Sequence, residues 1–257
     1  MVALGLRYSI EKGPAWSATA AFEALVSVTL VFFYLMGVND YFDVEIDSSK
    51  KERAVLAKGE ISMTSAQLVI VAAAFIGLTF AYLVSLGFFV LTLVVFSLSS
   101  LYSIPPIRYK RFYPFSTLGE VAGAFVLFPL GFSVVGAPTV PVFIVSTLTT
   151  LVASSARLRQ EARNAEFDTN SGKGSLAVVH GASIVKDVSK YLLAIALGEL
   201  FLLRFIGLLS NSMALLTGSF VVAPTVAKHV RGHKYLGVAS VLWGFGFFLV
   251  AVFFPGL

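Results

Sequence analysis

Long apolar segments separated by short polar ones dominate this chain. A helix needs about 20 apolar residues to cross a bilayer, and segments of that length recur along the sequence. The runs are continuous rather than alternating, which favours helices over barrel strands. The pattern therefore predicts an all-α, polytopic transmembrane helical bundle that forms one domain over residues 1–257. The eight predicted spans are 15–38, 64–85, 87–104, 117–135, 139–158, 188–209, 212–227 and 235–254.

The connections between the spans alternate in charge. Those after the first, third, fifth and seventh spans are long and charged, and the others are short and nearly neutral. The charged set, with the helix ends beside it, holds sixteen of the 19 Lys and Arg residues. Cytoplasmic loops of membrane proteins carry an excess of these cations. We therefore expect the loops 39–63, 105–116, 159–187 and 228–234 to form a polar active-site cap on the cytoplasmic side of the cell membrane.

The composition agrees with a membrane protein. The chain is 57% hydrophobic and 13% charged, against about 25% charged residues in soluble domains. Topology and anionic lipid explain the net charge of +5, so the composition does not call for a nucleic-acid partner. Cysteine is absent, which excludes disulfides, thiolate metal sites and cysteine nucleophiles.

The first charged loop opens with an acidic cluster. Its oxygen-bearing side chains are three or four residues apart, so a continuing helix would place them on one stripe. Like charges there repel, and carboxylate oxygens suit Mg²⁺, which would bridge the stripe to a diphosphate. A solvated helix end that only fixes topology is the simpler alternative. The predicted ligands are Asn39, Asp40, Asp43 and Asp47, and the predicted phosphate-binding cations that follow them are Lys51 and Arg53.

The segment 39–47, NDYFDVEID, resembles the NDxxDxxxD motif of the UbiA superfamily of intramembrane prenyltransferases. The resemblance implies that these residues bind Mg²⁺ and the diphosphate of a polyprenyl donor. Family members usually have nine helices and carry this motif on the second. Here it follows the first predicted span, so the usual first helix is absent from the prediction.

The second charged loop follows a helix that Pro105 and Pro106 should end, because proline cannot continue one. On its own, such a basic loop is typical of a membrane-interface anchor. The segment 102–111, YSIPPIRYKR, is also similar to a family segment that implies orientation of the diphosphate. Its candidate residues are Tyr102, Arg108, Lys110 and Arg111. Glu120, inside the next span, is a functional candidate because acids within a membrane are costly.

The third charged loop carries a second polar cluster. Glu161, Asn164 and Asp168 share one helical face, and they resemble the second metal-binding motif of the family. Asn164 stands where the family has Asp. An amide offers an oxygen but no charge, so we expect weaker metal binding there or lower activity. Arg163 and Lys173 are the candidate diphosphate-binding cations of this loop.

Together these features predict Mg²⁺-dependent transfer of a polyprenyl group from its diphosphate to a hydrophobic or aromatic acceptor. The acids Asp40, Asp43, Asp47 and Asp168 are predicted to be catalytic, because the metal they hold neutralises the leaving group. The segment 117–131 and the third loop favour a quinone precursor such as a naphthoate. A glycerol-phosphate ether lipid acceptor and a weakly active, divergent member stay open as alternatives. A transporter is disfavoured because the acids cluster at one set of helix ends.

The topology prediction can be tested by labelling single cysteines, since the chain has none of its own. Cysteines introduced at Ser49 and Ser171 should both react with an impermeant reagent from the cytoplasmic side. Labelling of the two positions from opposite sides would exclude a site that both loops share.

Overall fold

The computed structural model describes residues 1–12, 17–44, 55–170, 172–214 and 217–218. Within these ranges the regular elements are all helical, so the predicted all-α fold is confirmed. The α-helices are α1 (Val2–Lys12), α2 (Ala18–Phe42), α3 (Met63–Val84), α4 (Leu86–Ser103), α5 (Phe115–Phe132), α6 (Val140–Asn170), α7 (Leu176–His180) and α8 (Ala182–Phe205). A short 3-10 turn over Tyr109–Arg111 lies between α4 and α5.

Among the described residues, five helices, α2 to α6, are long and apolar enough to cross a membrane, and they correspond to the first five predicted spans. The sixth predicted span is helical as α8 but is not among those five, because charged residues interrupt its apolar sequence. The seventh, 212–227, is described only at 212–214 and 217–218, and the eighth, 235–254, lies outside the described residues.

Serine and proline fix several helix ends. Ser62 and Ser85 accept hydrogen bonds from the backbone N–H groups of Ser65 (3.1 Å) and Phe88 (3.0 Å), which begins α3 and α4. Such caps satisfy donors that the first turn of a helix leaves open. The α4 helix ends at Ser103, ahead of Pro105, as the sequence predicted. The loop that carries the predicted phosphate-binding cations therefore starts at a defined point.

The α1 helix was missed by the sequence analysis because its apolar run is too short for a span. It packs backbone to backbone against α5. A β-carbon added to Gly5 would lie 2.0 Å from the carbonyl oxygen of Phe128, and one added to Gly131 would lie 1.9 Å from that of Val2. Only glycine permits this approach, and the contact fixes the position of α5, which carries Glu120.

The α6 helix forms the centre of the bundle. It contacts α5, α7 and α8, and Val142, Val145 and Leu148 on it are fully buried. Deeper along the helix, Ser155 donates to the carbonyl oxygen of Ser189 at 2.8 Å, which ties α6 to α8. The helix runs to Asn170 rather than ending near 158 as predicted. The second polar cluster therefore lies on a rigid extension of a core helix.

Replacement of Gly131 by Ala should destabilise the protein by about 1–3 kcal/mol, because the new methyl group overlaps the backbone of α1. Gly123→Ala is the matched control on the same helix, since a β-carbon there has no described atom within 4 Å. Thermal unfolding in detergent measures both. Equal stability of the two variants would contradict the close packing of α1 and α5.

Candidate active site

A cavity of about 900 Å³ lies between α2, α4, α5 and α6. Part of its lining is apolar, with Phe32, Leu35 and Met36 of α2 facing Leu98 of α4 and Leu127 of α5. The rest is polar and comes from the C-terminal ends of α2, α4 and α6, from the N-terminal part of α5, and from the loops that follow α4 and α6. The cavity thus suits a ligand with a charged head and an apolar tail.

The first polar group of the lining, the α2 cluster, consists of Asn39, Asp43, Arg108 and Lys110. Asn39 and Asp43 are one helical turn apart at the end of α2. The Lys110 ammonium donates to Asn39 Oδ1 at 2.9 Å and to Asp43 Oδ2 at 2.6 Å. The Arg108 guanidinium pairs with Asp43 Oδ1 and donates to the carbonyl oxygen of Phe42 at 2.9 Å. One carboxylate therefore holds two cations of the loop after α4.

The backbone conformation of that loop places its cations in the wall of the cavity. Arg108 has left-handed dihedral angles (φ 37°, ψ 52°), a conformation that disfavours side chains with a β-carbon. Its ion pair with Asp43 offsets that cost. Burial lowers the pKa of Lys110, while the Asp43 carboxylate acts in the opposite direction. The buried Nε of Arg108 has no hydrogen-bond partner among the described residues, so one donor of this guanidinium is unused.

Tyr109 anchors the 3-10 turn. Its hydroxyl donates to the carbonyl oxygen of Leu98 at 2.8 Å, and its ring occupies the space beside Gly119, where a β-carbon would lie 2.4 Å away. Burial and the nearby Glu120 charge raise the pKa of Tyr109 to about 12, so it stays a neutral donor at physiological pH. The loop is therefore fixed to both α4 and α5.

The second polar group, the α6 cluster, consists of Asn164, Asp168 and Lys173. All three line the same cavity as the α2 cluster. Lys173 Nζ lies 3.9 Å from Asp168 Oδ2. The two loops also touch, because Ser116 donates to the carbonyl oxygen of Gly174 at 2.5 Å. The structure thus brings residues of both sequence motifs to one polar end.

Glu161 is placed differently from Asn164 and Asp168. It is 2% exposed and does not line the cavity. Its Oε2 accepts a hydrogen bond from the backbone N–H of Leu176 at 3.1 Å, and its Oε1 lies 3.9 Å from Arg157 Nε. Glu161 therefore holds the first turn of α7 against α6. The metal-binding role predicted for it stays a prediction.

The remaining predicted residues fall into two sets. Asp40 and Arg163 are exposed and do not line the cavity, whereas Tyr102 and Arg111 do. Asp40 follows Asn39 directly, so the helix turns its side chain to another direction. Three further predicted residues lie outside the described ranges: Asp47, Lys51 and Arg53.

A third polar group, the inner network, consists of Tyr102, Glu120 and Arg157. The Tyr102 hydroxyl donates to Glu120 Oε1 at 2.7 Å. Arg157 donates two hydrogen bonds to the same carboxylate, one from Nη2 to Oε1 at 2.6 Å and one from Nε to Oε2. The sequence indicated Tyr102 and Glu120 as functional candidates, whereas Arg157 was not singled out. The sequence did contain a signal for this pair, because Glu120 and Arg157 are an acid and a cation near the same-side ends of neighbouring predicted spans.

The donor chemistry of the α2 cluster fits a hard cation. Asn39 Oδ1 and Asp43 Oδ2 already converge on one positive charge, the Lys110 ammonium, and oxygen ligands are those that Mg²⁺ prefers. Within the described ranges, no group of three or more His, Cys, Asp or Glu side chains is close enough to hold a metal. A metal here would therefore draw ligands from both clusters or from the bound anion.

Comparison with known sequences gives a family match. The sequence model of a family described as the UbiA prenyltransferase family matches residues 1–250. The chain is 24% identical over 263 residues to naringenin 8-dimethylallyltransferase 2 of Sophora flavescens, covering 92% of this chain and 61% of that protein. It is 31% identical over 99 residues to a probable homogentisate phytyltransferase 2 of Oryza sativa subsp. japonica, covering 38% and 26%. The chain thus spans less than two thirds of these relatives.

Solved structures share the fold. A UbiA homolog from Archaeoglobus fulgidus bound to GPP and Mg²⁺ aligns with a TM-score of 0.79 at 17% identity, over 100% of this chain and 96% of that one. A UbiA homolog from Aeropyrum pernix K1 aligns with a TM-score of 0.75 at 17% identity, over 100% and 97%. At these identities the likeness establishes the helical architecture.

The position of Glu161 predicts a structural effect that separates Ala from Gln. Glu161→Ala should lower the free energy of unfolding by about 1–3 kcal/mol, because the Leu176 N–H, which is partly buried against Glu161, loses its acceptor. Glu161→Gln keeps a carbonyl oxygen as an acceptor, so it should lower the free energy of unfolding clearly less than Glu161→Ala. Thermal unfolding in detergent compares them. An equal loss in both would show that the charge, rather than the cap on α7, is what Glu161 supplies.

Proposed function

Because the chain belongs to the UbiA prenyltransferase family, we propose that it transfers a polyprenyl group from a polyprenyl diphosphate to an acceptor within the membrane. Membership confirms the resemblance drawn from segment 39–47. The observation that carries the proposal is the single cavity with a cationic polar end and an apolar remainder. The diphosphate belongs at the polar end and the prenyl chain along the α2, α4 and α5 side chains.

The polar end supports diphosphate binding in two ways. Arg108, Lys110, Arg111 and Lys173 line it, and charge-assisted hydrogen bonds to phosphate are among the strongest in proteins. The unpartnered Nε of Arg108 supplies a donor that no described residue uses. Asn39, Asp43, Asn164 and Asp168 would hold Mg²⁺, which neutralises charge on the departing diphosphate when bound. Catalytic roles for Asp40 and Asp47 stay predictions.

Beyond the polar end, the chain's own residues protect the reacting carbon. Lys110 Nζ lies over the Tyr102 ring at 5.8 Å from its centroid, so this ring already accommodates a positive charge. An aromatic face in this position stabilises an allylic cation. Apolar side chains of α2 and α4 keep water from capturing that cation. Departure of diphosphate then leads to alkylation of the acceptor rather than to hydrolysis.

An aromatic acceptor is favoured by the relatives. The names of two of them, naringenin 8-dimethylallyltransferase 2 and a probable homogentisate phytyltransferase 2, specify aromatic acceptors. A glycerol-phosphate ether lipid stays the alternative acceptor, and Asn164 keeps open a weakly active enzyme. We also infer a multi-pass protein of the cell membrane with the polar end on the cytoplasmic side, on the strength of the loop charges.

Asp43→Asn and Asp168→Asn should each reduce prenyl transfer about a thousandfold, since removal of one metal ligand costs several kcal/mol of transition-state stabilisation. Transfer from labelled geranylgeranyl diphosphate to lipid-soluble acceptors, with and without EDTA, measures the loss. Asp168→Asn keeps a hydrogen-bond acceptor, so its fold should persist. Asp43→Asn leaves the buried charges of Arg108 and Lys110 without compensation and should unfold at a lower temperature, so thermal unfolding is measured for both variants.

Asp187→Asn is the matched control, because Asp187 is exposed on α8 and pairs only with Lys190 in the described contacts. It should retain parental transfer. Full activity of Asp43→Asn or Asp168→Asn, or transfer that persists in EDTA, would remove the metal-dependent function.

A further inference from the structure

Glu120 and Arg157 of the inner network are not used by the proposed diphosphate site, yet the whole network lines the cavity. Tyr102, Glu120 and Arg157 all contribute to the lining. We propose that this network is the acceptor subsite, that it takes a neutral aromatic acceptor bearing a hydroxyl group, and that Glu120 receives the proton of that hydroxyl. This inference rests on the proposed prenyl transfer and names its acceptor class.

The first supporting observation is the balance of charge. Arg157 lies between two carboxylates, Glu120 in two hydrogen bonds and Glu161 at 3.9 Å. Two carboxylates therefore share one guanidinium. An arrangement with excess acceptor capacity favours a ligand that donates hydrogen bonds and disfavours an anion.

The second observation concerns the guanidinium itself. Its Nε and Nη2 edge is occupied by Glu120, and its Nη1 donates to Gln160 Oε1 at 3.2 Å. That paired edge is the one that binds a carboxylate in two parallel hydrogen bonds. An acceptor with its own carboxylate would have to displace Glu120 and leave it unpaired in a poorly solvated site. A neutral hydroxyl makes no such demand.

The third observation is the position of the network beside the donor site. Tyr102 belongs to both, because its ring lies beneath the Lys110 ammonium and its hydroxyl binds Glu120. The Tyr102 side chain therefore lies between Glu120 and Lys110 of the α2 cluster. An aromatic ring held by Glu120 would lie next to the carbon from which the diphosphate departs.

The proposed step conserves bonds and charge. The O–H bond of the acceptor breaks and its proton moves to Glu120. A ring carbon forms the new bond to the allylic carbon, and the donor C–O bond breaks with its electron pair leaving on the diphosphate. Tautomerisation of the alkylated ring restores the hydroxyl, and Glu120 releases the proton to water. The step is general base catalysis, which typically contributes about 10²–10⁴-fold in rate.

A matched pair of acceptors tests the inference. The full-length protein in detergent is given labelled geranylgeranyl diphosphate, Mg²⁺ and either 1,4-dihydroxynaphthalene or its 2-carboxylate. The parent should prefer the uncharged acceptor. Glu120→Gln should lower transfer to it by at least a hundredfold, while the Mg²⁺-dependent thermal shift caused by the donor stays at the parental value. Glu199→Gln is the control, because Glu199 is an acid within α8 that does not line the cavity.

Two further readouts separate a proton acceptor from a merely structural residue. The loss in Glu120→Gln should shrink for a more acidic phenol, which ionises without help. The same variant frees the Arg157 edge, so its use of the 2-carboxylate relative to the uncharged acceptor should rise.

The remaining outcomes distinguish a failure of this inference from a failure of the proposed function. Parental transfer by Glu120→Gln, equal or better use of the 2-carboxylate by the parent, or a donor shift with no alkylation of either acceptor would overturn the inference and leave donor binding intact. Absence of the donor shift in the parent would instead overturn the proposed function.

Discussion

The Asp43 carboxylate, held between Arg108 and Lys110, is the interaction on which the polar end of this protein depends. It joins the last turn of α2 to the loop after α4 and places two cations in the wall of the cavity. Asp43 and Lys110 are largely withdrawn from solvent, with side-chain exposures of 15% and 7%. Removal of either charge would leave the other without compensation, which is costly in such a site. The same contact gathers oxygen ligands and phosphate-binding cations in one place.

The polar groups of the cavity differ in their net charge, and the difference suggests a division of labour. The α2 cluster has two cations for one carboxylate, which suits a diphosphate with its metal. The Arg157 guanidinium of the inner network is shared by Glu120 and by the adjoining Glu161, which suits a neutral hydrogen-bond donor. Tyr102 connects them through its ring and its hydroxyl. Donor and acceptor would therefore meet at this side chain, with the apolar walls excluding water.

Much of this arrangement was predictable from sequence, for physical reasons that particular elements show. Hydropathy predicts α2 to α6 because a bilayer requires long apolar helices. The four-residue spacing of Asn39 and Asp43 predicts their common face. The spacing could not show that α7 covers Glu161, because that depends on how the chain folds back after Gly172. The Glu120–Arg157 pair was equally hard to predict, since the two residues are 37 positions apart and lie on different helices. The α1 helix was not predicted because close packing through Gly5 and Gly131, rather than hydropathy, holds it in place.

The central claim is that Asp43 and its two cations form a site for a metal-bound diphosphate. Thermal unfolding of the full-length protein in detergent tests it most directly, with geranylgeranyl diphosphate alone, Mg²⁺ alone and both together. Binding to the folded state should stabilise the protein only when both are present, by about 2.7 kcal/mol at a hundredfold excess over the dissociation constant. No stabilisation by the pair, or the same stabilisation by the diphosphate without Mg²⁺, would contradict the account.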